Sequence, residues 1–394
     1  MKRFIIITIT ALFSVLVLYL GDKTGKKYNK RNGLSLVTKN RWSEEKAWQW
    51  HNENGWMIGS NFNPSTSINQ LEFWQEDTYD KETIDRELGW SAELGMNTHR
   101  VYLHNLLWDQ DSVGFIKRIE NYLDISESKG IKTLFVLLDD CWHPAPKLGK
   151  QPNPMPFVHN SWWVQAPGSA ILGDSSRHHE VKNYIKGIIS HFADDKRVIG
   201  WDIYNEPGNI APTQKGHNEF EIKGDKDIFT LSLIRKAFKW AREANPSQPL
   251  TSSVWKTWEK DNDWSKLDNL SDLSKFIISN SDVISFHTYG DINEMKLRVE
   301  QLETYNRPIM CTEYLARGQG STFQAMLPLL KEKQIAAINW GFVAGKTNTI
   351  FPWSSWEDDF TAAPDVWHHD IYMPDKTPYD QKEIDFIKEI TSIK

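Results

Sequence analysis

The chain has 394 residues, 46 Lys and Arg against 52 Asp and Glu, and a formal net charge of -6. This length admits two average domains or one large α/β barrel, and the mild acidity supplies no basic field for a phosphate backbone, which argues against a nucleic-acid partner. Tryptophan is the outlier at 19 residues; indoles fill cores, but they also offer flat faces that stack on sugar rings.

The first segment, MKRFIIITITALFSVLVLYLGDKTGKK, sets Lys2 and Arg3 before an uncharged run from Phe4 to Leu20 and a Lys-rich stretch. That is the order of an export signal, and the run also reaches the short end of a membrane span. Residues 1–21 therefore read as a cleaved signal peptide or an uncleaved N-terminal membrane anchor, and residues 22–40 as a linker. Either reading places residues 41–394 outside the cytoplasm: periplasmic, at the cell surface, or secreted.

Short β-rich runs then alternate with amphipathic helical stretches. The first run, WMIGSNF (56–62), precedes a helical pattern over 80–95; THRVYL (98–103) precedes one over 115–130; KTLFVLL (132–138) precedes one over 178–195. IGWDIYNE (199–206) leads to a helix over 227–246, and PLTSSVW (249–255) and DVISFHTY (282–289) follow, the latter before a helix over 293–306. RPIMCTEY (307–314), a helix over 322–333, IAAINWGFV (335–343) and a last helix over 379–393 complete the series. Eight strand-then-helix units imply a parallel sheet closed into a (β/α)8 barrel with a single catalytic domain. A doubly wound open sheet is the rival, but the first turn, NFNPST, lacks phosphate-cradling glycines.

Active sites of such barrels lie at the C-terminal strand ends. Those ends carry Asn61 and Asn63, Arg100, Asp139 and Asp140, Asn205 and Glu206, Trp255, His287 and Tyr289, Glu313 and Trp340. Glu206 closes the fourth strand and Glu313 the seventh, which sets them on facing walls of one mouth. Two facing carboxyls suit glycosidic bond cleavage, one held protonated for the leaving oxygen and the other ionised for attack. A lone Glu at a strand end reads equally well as a surface salt bridge; the pair among polar neighbours does not. The histidines show no zinc-like spacing, so no metal and no cofactor is expected.

These motifs resemble the glycoside hydrolases of clan A, most closely the cellulase-like family 5. The resemblance rests on YNEPGN, RPIMCTEY, SFHTYG, NTHRVYL and INWGF and covers residues 56 to 345. It implies retaining hydrolysis of β-glycosides of the glucan, mannan or xylan class, with Glu206 as acid/base and Glu313 as nucleophile. By the same match Asn205 holds the sugar 2-hydroxyl, Arg100 and Tyr289 steady Glu313, His287 lies near the acid/base, and Trp340 floors the subsite of the cleaved sugar. One departure stands out. Family 5 places a His near the end of the third strand, where LLDDCWHP offers Asp139, Asp140 and His143.

Two long loops, about 139–177 and 346–378, are the expected seat of specificity, since loops of that length are rare unless functional. Their Trp142, Trp162, Trp163, Trp353 and Trp356 are stacking platforms or seals on the barrel. A loop that walls off one end would favour cutting from a chain end, so an exo-acting β-glycosidase on short oligosaccharides is an alternative. A non-catalytic carbohydrate-binding barrel is a further one. Cys141 and Cys311 lie in distant segments and read as buried free thiols. A carbohydrate substrate and a monomeric chain are expected.

Overall fold

The computed structural model describes residue 37 and residues 40–210 and 220–391. The segment read as a signal or anchor, 1–21, lies outside the described residues, as does most of the 22–40 linker. Among the described residues no helix is long and apolar enough to cross a membrane.

A short helix α1 (Glu44–Asn54) precedes the barrel, capped where the Ser43 hydroxyl accepts from the Lys46 N–H. The strands are β1 (Ile58–Ser60), β2 (Thr98–Tyr102), β3 (Lys132–Val136), β4 (Val198–Asp202), β5 (Leu250–Thr251), β6 (Ser253–Val254), β7 (Ile284–His287), β8 (Ile309–Glu313) and β9 (Ala336–Asn339). All pair in parallel, in the orders β2-β3-β4-β5 and β1-β9-β8-β7-β6.

Two joins close the ring. β5 and β6 are one strand interrupted at Ser252, whose hydroxyl leaves the ladder to donate to the Tyr204 carbonyl at 2.7 Å. β1 meets β2 through a bridge between Asn61 and Arg100, with the Phe62 N–H donating to the Arg100 carbonyl at 2.9 Å. The expected (β/α)8 barrel is the observed fold, and all eight strand runs fall where the sequence places them.

Six of the seven anticipated helices cover the strands in order: α3 (Lys81–Glu93), α4 (Asn105–Ser128), α6 (Glu180–His191), α7 (Lys226–Glu243), α9 (Ile292–Glu303) and α10 (Phe323–Glu332), with α11 (Gln381–Thr391) the seventh. Four others were not anticipated, α1, α2 (Gln70–Trp74), α5 (Ser169–Leu172) and α8 (Asp272–Asn280). α8 fills the gap between the fifth and sixth strands, and the Ser271 hydroxyl accepts from the Ser274 N–H at its start.

The barrel interior is layered. At the N-terminal end Met57, Leu134, Ile199, Val283, Met310 and Ile338 pack with Trp42 and Ala47, so α1 plugs the bottom. Above that apolar layer the interior turns polar at Arg100 and Asp202, both fully buried. The upper layer holds Tyr102, Val136, Cys141, Trp163 and Trp340. A plugged bottom and a polar top leave the C-terminal mouth as the place for chemistry.

Candidate active site

A cleft of about 490 Å³ opens at that mouth, lined among others by Cys141, Trp142, Asn205, Glu206, Asn209, Trp255, His287, Tyr289, Glu313, Trp340 and Trp353. This is the size of a small-molecule site.

Glu206 reaches it through a tight turn. Residues 206–209 form a β-turn in which the Asn209 N–H donates to the Glu206 carbonyl at 3.0 Å, with Pro207 second and Gly208, at φ 81°, third. That is type II geometry, which needs Pro and Gly in this order. A Cβ on Gly208 would stand 2.1 Å from Asp227 Oδ1, so the positive φ favours glycine and any side chain would also displace the Asp227 carboxylate. Glu206 itself sits at φ 39°, a left-handed conformation uncommon for its residue type and frequent at functional sites.

The Glu206 carboxyl takes three neighbours. The Asn209 side-chain N–H donates to Oε2 at 2.6 Å, the Cys141 thiol donates to the same oxygen at 3.2 Å, and His287 Nδ1 lies 3.0 Å from Oε1. Burial raises its pKa, and these donors only partly oppose the shift.

Glu313 stands in a different setting. Arg100 donates to Oε1 at 2.8 Å, Tyr102 to the same oxygen at 3.0 Å, and Tyr289 to Oε2 at 2.6 Å. Arg100 is fully buried and also donates to Asp202 Oδ2, Asn61 Oδ1 and Asn205 Oδ1. Burial alone would lower its pKa, but Tyr102, Asp202 and Glu313 outweigh that and raise it, so it is a fixed cation. Its planar fork therefore ties the second, fourth and seventh strands to one charge centre.

His287 joins the two acids, with Nδ1 3.0 Å from Glu206 Oε1 and 3.5 Å from Glu313 Oε2. Burial pulls its pKa down to about 3, so the ring is neutral and Nδ1, facing two carboxyl oxygens, bears the proton. One oxygen from each Glu and this nitrogen all lie within 4.8 Å of one another.

The structure thus brings together seven of the nine residues picked from the sequence: Glu206, Glu313, Arg100, Asn205, His287, Tyr289 and Trp340. Asp140 and His143 are the corrections. Asp140 is 1% exposed and points away from the cleft, accepting from the Tyr204 hydroxyl at 2.8 Å, the Gly208 N–H at 2.7 Å and the Thr230 hydroxyl at 2.9 Å. It anchors the Glu206 turn from behind. His143 Nδ1 accepts from the Ala145 N–H at 3.2 Å, and its ring packs on Trp162 and Phe220 outside the cleft. The residue that faces Glu206 from the end of the third strand is Cys141.

Asp139 also turns out to be scaffold. It accepts from the Cys141 N–H, Asn205, Trp163 and Gln70, while burial pushes it up to about 8. Of the five loop tryptophans, Trp142 and Trp353 line the cleft; Trp163 and Trp356 are buried, and Trp162 lies beside His143. Both cysteines are free and buried, as expected. Sequence reasoning missed Cys141, Asn209, Tyr102, His159 and His369. For Tyr102 a signal existed, since residues two apart on a strand share a face and Arg100 was already chosen.

A parallel barrel whose mouth holds two facing glutamates, one of them on a buried arginine, defines the glycoside hydrolases of clan A. The chain matches the sequence model described as Glycosyl hydrolase family 10 over residues 156–354, just over half its length, and belongs to that family. Among curated proteins no sequence matches it.

Solved structures do match. GH5_18 from Streptomyces cattleya, in complex with Manβ1-4GlcNAc, superposes at TM-score 0.55 with 11% identity, covering 86% of this chain and 81% of that one. The β-1,4-mannanase of the common sea hare Aplysia kurodai gives 0.50 at 16% identity over 73% and 88%. The β-mannanase of the blue mussel Mytilus edulis gives 0.50 at 14% over 86% and 92%. At these identities the likeness is one of fold.

Proposed function

We propose that this protein is a retaining β-glycoside hydrolase acting on a β-linked glucan, mannan or xylan type oligo- or polysaccharide. Glu313 is the nucleophile and Glu206 the acid/base. The observation that carries the reading is the pair geometry: oxygens of the two carboxyls within 4.8 Å, on one shared imidazole. Retaining enzymes hold their carboxyls about 5 to 5.5 Å apart, whereas inverting ones leave about 6.5 to 9.5 Å for a water.

The steps follow. Glu313 attacks the anomeric carbon while Glu206 gives its proton to the glycosidic oxygen, and the C–O bond breaks to release the leaving sugar as an alcohol. Glu206, now a carboxylate, takes a proton from water; that water attacks the same carbon and frees Glu313. Asn205 has its oxygen on Arg100, and its amide nitrogen donates to Asp139 and, at 3.8 Å, to Cys141 Sγ; the long contact to sulfur is the one a sugar 2-hydroxyl would replace. Trp340 floors the glycone subsite, Arg100 and Tyr289 steady Glu313, and His287 steadies Glu206. These roles are those implied by the sequence resemblance to family 5, although the family model that matches is family 10. Mannan is the first substrate to screen, because two of the matched structures are mannanases. Export, by signal peptide or anchor, and a monomeric state belong to the same reading.

The three ligand atoms of Glu206, His287 and Glu313 could also surround a metal ion. Arg100 opposes that reading, since its guanidinium already holds Glu313 Oε1, and a chelator that abolished turnover would favour it. The test of the main reading is kinetic, on aryl β-glycosides. Glu313→Ala should lose turnover on every substrate. Glu206→Ala should form the glycosyl-enzyme from a good leaving group and stall, and azide should restore turnover with a β-glycosyl azide as product. Rescue of neither mutant, or an α-azide from Glu206→Ala, overturns the assignment.

A further inference from the structure

The two ends of the cleft are built differently. At the Glu313 end the long loops after the third and eighth strands are clasped to each other. The Asn160 N–H donates to the Thr347 carbonyl at 2.7 Å, the His159 N–H to Ser355 Oγ at 3.0 Å, His159 Nδ1 to the Phe351 carbonyl at 2.9 Å, and the Asn348 side chain to the Met155 carbonyl at 3.0 Å. His369 packs behind, its ring 5.2 Å from His159 and 5.6 Å from Tyr289, with Nδ1 donating to the Leu315 carbonyl. His159 and Asn160 are 1% exposed, His369 is fully buried, and all three still line the cleft.

At the Glu206 end the described rim is aromatic and open. Trp258 lines the cleft at 51% exposure and meets Trp255 edge-on at 5.2 Å, and the Trp255 indole donates to the Pro207 carbonyl beside Glu206.

We propose that the clasp makes the Glu313 end of the cleft blind, so that the enzyme removes a short unit from the non-reducing end of its substrate while the remaining chain leaves over Trp255 and Trp258. This rests on Glu206 and Glu313 acting as assigned above. The proton donor faces the leaving oxygen, so the leaving chain runs toward the side that Glu206 and Trp255 share. The glycone then meets Trp340, Tyr289 and the clasp. His159 gives the blind end its chemistry. Its Nδ1 proton is committed to a carbonyl, so Nε2 is a bare acceptor, suited to a hydroxyl of a neutral terminal sugar and repelling the carboxylate of a uronic acid. A free chain end presents such a hydroxyl, whereas an internal residue presents a further sugar that the clasp excludes.

The experiment uses β-1,4-linked gluco-, manno- and xylopentaose labelled at the reducing end. The expected labelled products shorten by one constant step, and a soluble polymer loses little viscosity as reducing ends accumulate. Labelled products of mixed length from the outset, with an early fall in viscosity, overturn the inference while leaving the two-Glu reading intact. In a second arm the gluco- and mannopentaose, with and without a 4,6-O-ethylidene cap on the non-reducing sugar, are titrated calorimetrically into the full chain. A cap that weakens binding at least tenfold supports a blind end even if no turnover is found, an outcome that would sink only the catalytic reading. Equal binding of capped and uncapped sugars overturns the inference, and no binding by any sugar overturns both. His159→Ala should narrow the capped-to-uncapped ratio; the wild-type ratio decides if that variant does not fold.

Discussion

Asp140 offers the sharpest test of how the site is held. If it bound sugar, its loss would raise KM and leave stability alone. The structure instead gives it three close donors, the Tyr204 hydroxyl at 2.8 Å, the Gly208 N–H at 2.7 Å and the Thr230 hydroxyl at 2.9 Å, with Lys226 Nζ at 3.7 Å. Asp140→Ala strands these groups in a dry interior. Lys226 keeps its nearer partner Glu221 at 3.2 Å, so the three lost hydrogen bonds to a charged acceptor carry the cost, about 3 to 5 kcal/mol. With an unfolding entropy of about 2.1 cal/mol/K per residue, a chain of 394 residues then loses about 4 to 6 °C in Tm. Gly208 is two residues from Glu206, so the turn loosens and the proton donor shifts; kcat should fall at least tenfold with KM changed less than threefold. Thermal unfolding by circular dichroism and initial rates on an aryl β-glycoside measure both. An unchanged Tm with a raised KM would refute the scaffold role.

Burial raises the pKa of Glu206, and the acid must be protonated for the first step, so kcat/KM should fall as pH rises through that raised value. The Cys141 thiol donates to Glu206 and favours its ionised form, so Cys141→Ala should move the basic limb to higher pH and Cys141→Ser, a stronger donor, to lower pH; coincident profiles would remove Cys141 from the machinery. Gly208→Ala forces a side chain onto φ 81° and against Asp227, which should cost about 1 to 3 kcal/mol and depress kcat; a variant as stable and active as the parent would contradict the turn geometry. Four fully buried histidines have pKa values pushed down by burial: His99 and His104 to about 4, His159 and His287 to about 3. At these four sites the unfolded chain then binds more protons below about 6.5, a contribution of about 5 kcal/mol that is present above that pH and lost as pH falls to about 5.5, while burial raises the carboxyls of Asp139 to about 8, Glu87 to about 7 and Asp202 and Asp370 to about 6, whose contribution has the opposite sign. NMR titration of the four imidazoles in the folded chain checks the histidine part, and any of them titrating near about 6.5 would refute it.

The barrel was legible because its strands are short apolar runs punctuated by turns and helical periods, a signal carried by many residues at once. α8 escaped because it is only nine residues long, too short a window for a helical period to stand out from its surroundings. The site was legible only as a list of residues at strand ends, since position along a strand says nothing about where a side chain aims once the ladder is irregular. Met310 sits in the inner layer and Cys311 in the outer one, so strict alternation would send Glu313 outward toward the helices. A register shift between Phe286 and His287 intervenes and sets His287 opposite Glu313. Bulges of this kind cluster beside active sites because they re-aim a side chain, and no residue type announces one.

The third strand shows the same limit from the other side. Asp139 and Asp140 are adjacent carboxylates at a strand end, the sort of pair that invites a catalytic reading, yet neither lines the cleft. They face opposite ways. Asp139 gathers Asn205, Trp163, Gln70 and the Cys141 N–H, and Asn205 in turn holds the Arg100 fork that grips Glu313. Asp140 gathers the Gly208 N–H and so fixes the turn that carries Glu206. Each of the two glutamates thus has a buried carboxylate behind it, reached through Asn205 and Arg100 for Glu313 and through the Gly208 turn for Glu206. A buried charge without full hydrogen bonding is expensive. Satisfying each Asp therefore constrains the neighbouring loops closely enough to hold both Glu side chains in place before any substrate arrives, which is the preorganisation that the proposed double displacement would require.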